Sequence, residues 1–193
     1  ANVASNHLVS GEESGRYANG HPNIVPYNLF KTGKGEIAIS VGNDNQFEVF
    51  AKLIGHPEWI EDNRFKTNQY RVLNRKVIEN LITKTLESNS ADFWYNKFLI
   101  ANIPTAIVRN VSEALNHRQT LENDMVKEIK HSNGGYFKSI NVPMSLNKER
   151  GIEAPSHPPR LGEHSYEILI NILKLKESYF KNLCKEGVIL DGR

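Results

Sequence analysis

The stretch IVPYNLFKTGKGEIAISVGNDNQFEVFAKLIG, residues 24–55, decides the fold class. Two β-rich runs, IVPYNLF and EIAISV, flank KTGKG, whose glycines supply the positive φ that a hairpin turn needs. The reading is a β-hairpin over about Val25 to Val41. The period then changes. In NDNQFEVFAKLIG, Phe47, Phe50 and Leu53 or Ile54 fall on one helical face, Asn43 or Asp44 serves as N-cap, and Gly55 stops the helix. A hairpin followed directly by an amphipathic helix predicts an α+β domain.

Upstream, ANVASNHL reads as the last two turns of a helix with no N-cap before it. The chain starts at Ala1, and its methionines are Met125 and Met144, so a fragment or a processed product is expected. Residues 9–23, VSGEESGRYANGHPN, concentrate Gly, Ser, Asn and Pro and form a loop. Loops longer than about 12 residues are usually functional or disordered, which makes this the first place to look for a site.

Downstream, residues 56–72 read as irregular. A helix is predicted near Asn74 to Leu86, with Val77, Ile78, Leu81, Ile82 and Thr85 as its stripe. Another starts after Ser90 and carries Phe93, Trp94, Lys97, Phe98 and Ala101. IPTAIV is a β-type run. VSEALNHRQTLE reads as a helix with Ser112 in capping position. MVKEIKH and YFKSINV flank the turn signal SNGG and predict a second hairpin. Residues 148–160 carry three prolines, in PSHPP and its surroundings, and read as a strap. EHSYEILINILKL and KESYFKNLCKEG are expected to be two helices, the first with Ile168, Leu169, Ile172 and Leu173 as an apolar face that must pack on something.

Composition narrows the function classes. The 24 basic and 22 acidic residues are intermixed, for a net charge of +2, so no basic stripe is present to grip nucleic acid. No apolar run approaches the roughly 18–20 residues that span a bilayer. The single cysteine, Cys184, excludes an internal disulfide and reads as an apolar filler on a helix. The seven histidines show no zincin or other metal-binding spacing, so no metal is expected. TGKGE lacks the phosphate-loop pattern and lies between strands, as a hairpin turn does. Glu163 and His164 are adjacent and point apart on a helix, so Glu163 reads as a helix-start acid. No G-x-S-x-G elbow or paired-carboxylate unit is present. His21 stands next to Asn23 and Tyr27 in the long loop, where a structural histidine and a ligand-orienting one both fit.

The order of motifs adds a resemblance. GHPNIVPY (residues 20–27), VGNDNQF (residues 41–47) and RLGEHSYEIL (residues 160–169) stand in the order and at about the spacing found in class III CoA-transferases. This is the carnitine dehydratase/bile-acid-inducible type, which includes formyl-CoA transferase, succinate-dependent CoA-transferases and α-methylacyl-CoA racemase. The chain is similar over essentially its whole length to the C-terminal half of that family, and its look is closest to the succinyl-CoA-dependent members.

The resemblance implies transfer of CoA from an acyl-CoA donor to a carboxylic acid through an aspartyl-CoA thioester. It places the nucleophilic aspartate in a Rossmann-like N-terminal half that precedes this chain, so no catalytic residue is expected here and the chain alone is expected to be inactive. It implies coenzyme A as substrate with no further cofactor. The implied partners are acyl-CoA and carboxylate substrates, the N-terminal half, and a second copy in an interlocked homodimer, with no nucleic acid and no membrane. A cytoplasmic location is expected, and a mitochondrial one is compatible. The implied organisation is a connecting-helix end and active-site loop over 1–24, a small α+β domain over 25–147, and a strap with tail helices over 148–193.

The resemblance implies that Asn19, Gly20, His21, Pro22 and Asn23, with Tyr27, form the substrate-binding loop. His21 and Asn23 are the candidates to contact the acyl carboxylate. Two departures from the family pattern stand at residues 102–107 (NIPTAI, without the usual glycines) and 142–145 (VPMS). They leave room for an inactive binding or assembly module of the same descent, and, because the small domain is shared across the family, the chain also suits the same part of a racemase-like enzyme.

Overall fold

The structure is a computed structural model that describes residues 2–132, 134–144 and 156–193. The chain forms two compact units, Ala1–Arg109 and Asn110–Arg193, and is a mixture of helices and small antiparallel sheets, as an α+β class requires.

The first unit opens with helix α1, Asn2–Ser10, which buries none of its side chains. After the long loop, β1 (Tyr27–Lys31) and β2 (Glu36–Ser40) pair antiparallel with Phe30 opposite Ile37, and β3 (Thr105–Ile107) extends the sheet on the far side of β2. Alternation puts Phe30, Ile37 and Ile39 into the core. In the turn, Gly35 takes φ +86. Gly33 is needed for a different reason: a Cβ there would stand 2.5 Å from the Glu87 carbonyl oxygen. The turn is docked by backbone hydrogen bonds from Gly33 N–H to Asn89 O and from Ala91 N–H to Lys34 O.

Helix α2, Asp44–Leu53, is capped by Asn43, whose side chain accepts from Gln46 N–H, and it buries Phe47, Phe50 and Ala51. The region read as irregular holds a 3-10 turn, Pro57–Ile60, and helix α3, Asn68–Leu73, capped by Thr67. The apolar period misses α3 because its inward residue is Arg71, a charged side chain with no solvent exposure. Helix α4, Arg75–Leu86, buries Ile78, Ile82 and Leu86. Ser90 caps α5, Ala91–Ile100, which buries Ala91, Trp94 and Phe98. Val77 and Phe93, expected on the inner stripes, are 43% and 46% exposed, because each inner face is one residue narrower than the periodicity suggests. Full burial of Phe47, Phe50 and Phe98 stabilises this core by roughly 1.5–3 kcal/mol each.

In the second unit, the expected single helix is two, α6 (Val111–Leu115) and α7 (Arg118–Glu122). The cap of α6 is Asn110, not Ser112. Its side chain accepts from Glu113 N–H while the Glu113 carboxylate accepts from Asn110 N–H, a capping box set by their three-residue spacing. His117 adopts extended backbone and caps α7, which breaks the run. Strands β4 (Val126–Lys130) and β5 (Tyr136–Ile140) form the second hairpin.

The first tail helix is a π-helical stretch, Glu167–Ile172. Leu173 N–H donates to Ile168 O, and Lys174 at φ +55 closes the element, with Leu175 N–H donating to Leu169 O. Ile168, Ile172 and Leu173 are exposed. The second tail helix, α8, spans Glu177–Lys185. In the LGEH motif, Gly162 takes φ +80, and Cβ atoms at Gly162 or Gly192 would lie within 2.6 Å of the facing backbone, so residues 162 and 190–192 pack main chain to main chain. Glu163 accepts from Arg160 N–H at 2.6 Å and thus ties the turn. The strap expected over 148–160 falls largely on residues 145–155, outside the described residues, as does Ser145 of the second departure.

Candidate functional site

The candidate loop is built by neighbours that read its backbone. Tyr17 to Gly20 make a turn closed by Gly20 N–H donating to Tyr17 O at 2.7 Å, which leaves Asn19 exposed. Gly20 is tightly enclosed: a Cβ would meet Tyr17 O at 3.1 Å, Asn28 Nδ2 at 3.3 Å and Arg75 Nη1 at 3.5 Å. His21 and Pro22 are half-buried. Their carbonyls both accept from Arg75 Nη2, each at 2.8 Å. Arg75 also lies over the Tyr17 ring and reaches Glu79 at 3.4 Å. Thus α4 holds the loop from below with one guanidinium.

Asn23 behaves differently from the expectation for its side chain. Its Oδ1 accepts from Asn6 Nδ2 at 2.8 Å and its Nδ2 donates to Asn6 Oδ1 at 3.0 Å. Both halves of the amide are therefore paired with α1. Its main chain supports the site: Asn23 N–H donates to His21 Nδ1 at 3.1 Å, and Asn23 O accepts from Asn68 Nδ2 at 2.8 Å. Asn68 Oδ1 in turn accepts from Val25 N–H at 3.0 Å, so one α3 amide spans the loop as it enters the cis Val25–Pro26 bond.

The His21 and Tyr27 rings lie 5.3 Å apart, tilted by 47°, and His21 N–H donates to Tyr27 O. The structure therefore brings His21, the Asn23 main chain and Tyr27 together. It does not bring in Asn19. A shallow groove of about 300 Å³ continues from Asn23 along Asn68, Gln69, Val72 and Leu73. Another hollow of about 240 Å³, in the second unit, is lined mainly by Leu115, Leu121, Val126 and Ile140 and has no acid–base pair.

Beneath the loop, Arg71 donates from Nε to Val25 O at 2.7 Å, from Nη1 to Phe65 O at 2.9 Å and from Nη2 to Asp44 Oδ1 at 2.7 Å. It also stacks on Phe47 at 4.1 Å. Burial pushes the Arg71 guanidinium below its ordinary value, while the Asp44 carboxylate opposes the shift. The pair is a structural hub joining α2, α3 and the end of the loop.

Sequence reading missed Asn68, Arg71 and Arg75. In NQYRVLNR these are ordinary polar residues, and their partners in the loop lie 43 to 54 residues away. Among the described residues no three His, Cys, Asp or Glu side chains converge to hold a metal ion. No helix among them is long and apolar enough to cross a membrane.

Comparison with known proteins identifies the relatives of this chain. The chain is 32% identical over 187 residues to the mouse protein named succinyl-CoA:glutarate CoA-transferase, covering 97% of this chain and 43% of that protein. The human protein of that name is 30% identical over 189 residues, covering 98% and 43%. The crystal structure of a CAIB/BAIF family protein from Brucella suis superposes with a TM-score of 0.71 at 28% identity, over 89% of this chain and 44% of that one. The chain thus spans less than half the length of these relatives. The sequence model of CoA-transferase family III matches residues 1–165, from α1 through the clamped loop and both hairpins to the LGEH turn, and the chain belongs to that family.

Proposed function

We propose that this chain forms the acyl-covering side of the active site of a CoA-transferase that moves CoA from a succinyl-type acyl-CoA to a carboxylic acid. The observation that carries the reading is the loop at residues 19–27, whose carbonyls are clamped by Arg75 and Asn68 while the His21 ring is held against Tyr27. A loop fixed through its backbone by a folded body is suited to orient a substrate.

In the proposed reaction an aspartate carboxylate outside these 193 residues attacks the donor thioester, releasing CoA thiolate and forming a mixed anhydride. The thiolate then attacks the aspartyl carbonyl, giving an aspartyl-CoA thioester and the free donor acid. The acceptor carboxylate repeats the two steps in reverse. Coenzyme A enters as substrate, with no cofactor, and this chain's residues position the acyl group. The aspartate belongs to a companion N-terminal half, and the complete enzyme works as an interlocked homodimer.

The test is a CoA-transfer assay with succinyl-CoA and glutarate. The purified 193-residue chain is expected to be inactive, and a polypeptide joining it to the aspartate-bearing half is expected to be active. Transfer by the chain alone, or none by the joined polypeptide, overturns the reading.

A further inference from the structure

Asn23 N–H donates to His21 Nδ1 at 3.1 Å. A neutral imidazole has one acceptor nitrogen, so its proton is on Nε2. That nitrogen lies 3.1 Å from Nδ2 of Asn2. Two N–H groups cannot share that contact productively, so the Asn2 amide belongs the other way round, with its oxygen accepting from Nε2–H; amide nitrogen and oxygen are interchangeable by such a flip.

Tyr27 packs on the ring at 5.3 Å, and Arg75 fixes the main chain that carries it by holding the His21 and Pro22 carbonyls at 2.8 Å. The only partner of Nε2–H in the described structure is an exposed amide on α1, whose side chains are all outside the core. It is a polar oxygen standing where a substrate oxygen can stand.

We propose that His21 binds the acyl substrate as a neutral donor, through Nε2–H to a carboxylate or carbonyl oxygen, and that Arg75 and the Asn23 main-chain N–H are positioning groups that fix this ring orientation. The Asn2 amide oxygen holds the substrate's place. The Asn23 side chain, paired with Asn6, is not a substrate contact. This rests on the reading of the loop as the acyl-covering side.

The test compares side chains that imitate one ring nitrogen each. A glutamine amide nitrogen reaches the place of Nε2, and an asparagine amide nitrogen the place of Nδ1. In the joined enzyme, His21→Gln is expected to keep the KM for succinyl-CoA within about threefold, whereas His21→Asn and His21→Ala raise it by about tenfold or more with a smaller change in kcat, the size of a lost hydrogen bond to a charged group. Arg75→Met is expected to act like His21→Ala, and Arg75→Lys to recover part of the loss. Equal KM values for the Gln and Asn variants, or an unchanged KM in Arg75→Met, overturn the proposal.

A second measurement needs no variant and no turnover. Nitrogen-15 NMR of the imidazole in the 193-residue chain is expected to show the Nε2–H tautomer, and an Nδ1–H tautomer refutes the assignment. A joined enzyme without CoA transfer sinks the functional reading and leaves the tautomer result to judge this one. An active enzyme whose Gln and Asn variants match sinks this proposal alone.

Discussion

Replacing Arg71 by methionine tests whether the loop rests on a hydrogen-bonded hub or merely on apolar packing. Methionine keeps most of the stem volume, so the change isolates the guanidinium. It loses bonds to Val25 O, Phe65 O and Asp44 Oδ1. Val25 and Phe65 have no solvent exposure, and a buried acceptor left without its donor costs about 1–3 kcal/mol. The Asp44 side chain is 51% exposed, so water replaces Arg71 there and the loss is about 0–1 kcal/mol. Relief of burying the guanidinium works the other way, consistent with the depressed value of Arg71.

The net expected loss is about 3 kcal/mol. Urea unfolding followed by tryptophan fluorescence measures it, because the two tryptophans, Trp59 and Trp94, both lie in the 1–109 unit and the signal is blind to the other unit. Asp44→Asn is the comparison: it keeps the Oδ1 acceptor but takes the counter-charge from a guanidinium with no solvent exposure, with an expected loss of about 1–2 kcal/mol, between an exposed pair and a fully buried one. If Arg71→Met cost less than about 1 kcal/mol at an unchanged denaturant slope, the hub account would be refuted. In the variant, amide exchange at Val25 should also accelerate, since its N–H bond to Asn68 Oδ1 loses the support of the Arg71 bond to the carbonyl of the same residue.

Two further outcomes are expected. Gly33→Ala drives a Cβ to 2.5 Å from Glu87 O, backbone that cannot yield without moving the turn, and should cost the same unit about 1–3 kcal/mol in the urea assay; a change within about 0.5 kcal/mol would mean that the turn is not docked as described. The Glu163 carboxyl is held below its ordinary 4.5 mainly by Arg160 N–H, with His157, Arg160 and His164 adding to the effect. A lowered folded value stabilises the turn above the unfolded value, and that contribution disappears as the pH falls through the folded one. Protection of the Arg160 amide should therefore fall in acid in the native chain and show no such step in Glu163→Gln. Identical pH profiles would refute the role given to Glu163.

Much of the local structure was legible in the sequence. The KTGKG turn, the Asn43 and Ser90 caps and the Phe47/Phe50 stripe arise from interactions within a few residues, and each appears where periodicity and cap chemistry put it. Local rules erred where two of them competed. Ser112 and Asn110 both suit a cap, and Glu113 decided for Asn110 by completing a capping box. The apolar run in EILINI gives no sign of π-helical spacing, because the same residues suit either helix.

The order of HPNIVPY, VGNDNQF and LGEH by itself determined the family, and the change from hairpin to helical period over residues 24–55 the α+β class, since those signals are carried by residue identity along the chain. What holds the loop was decided only by the tertiary structure. Asn68, Arg71 and Arg75 gain their meaning from carbonyls and N–H groups 43 to 54 residues away, and a buried donor is defined by the acceptor that folding brings to it. His21 was legible as a candidate. That its Nδ1 is occupied and its Nε2–H is the group on offer depends on the Asn23 N–H and the Tyr27 ring meeting one imidazole whose main chain Arg75 clamps.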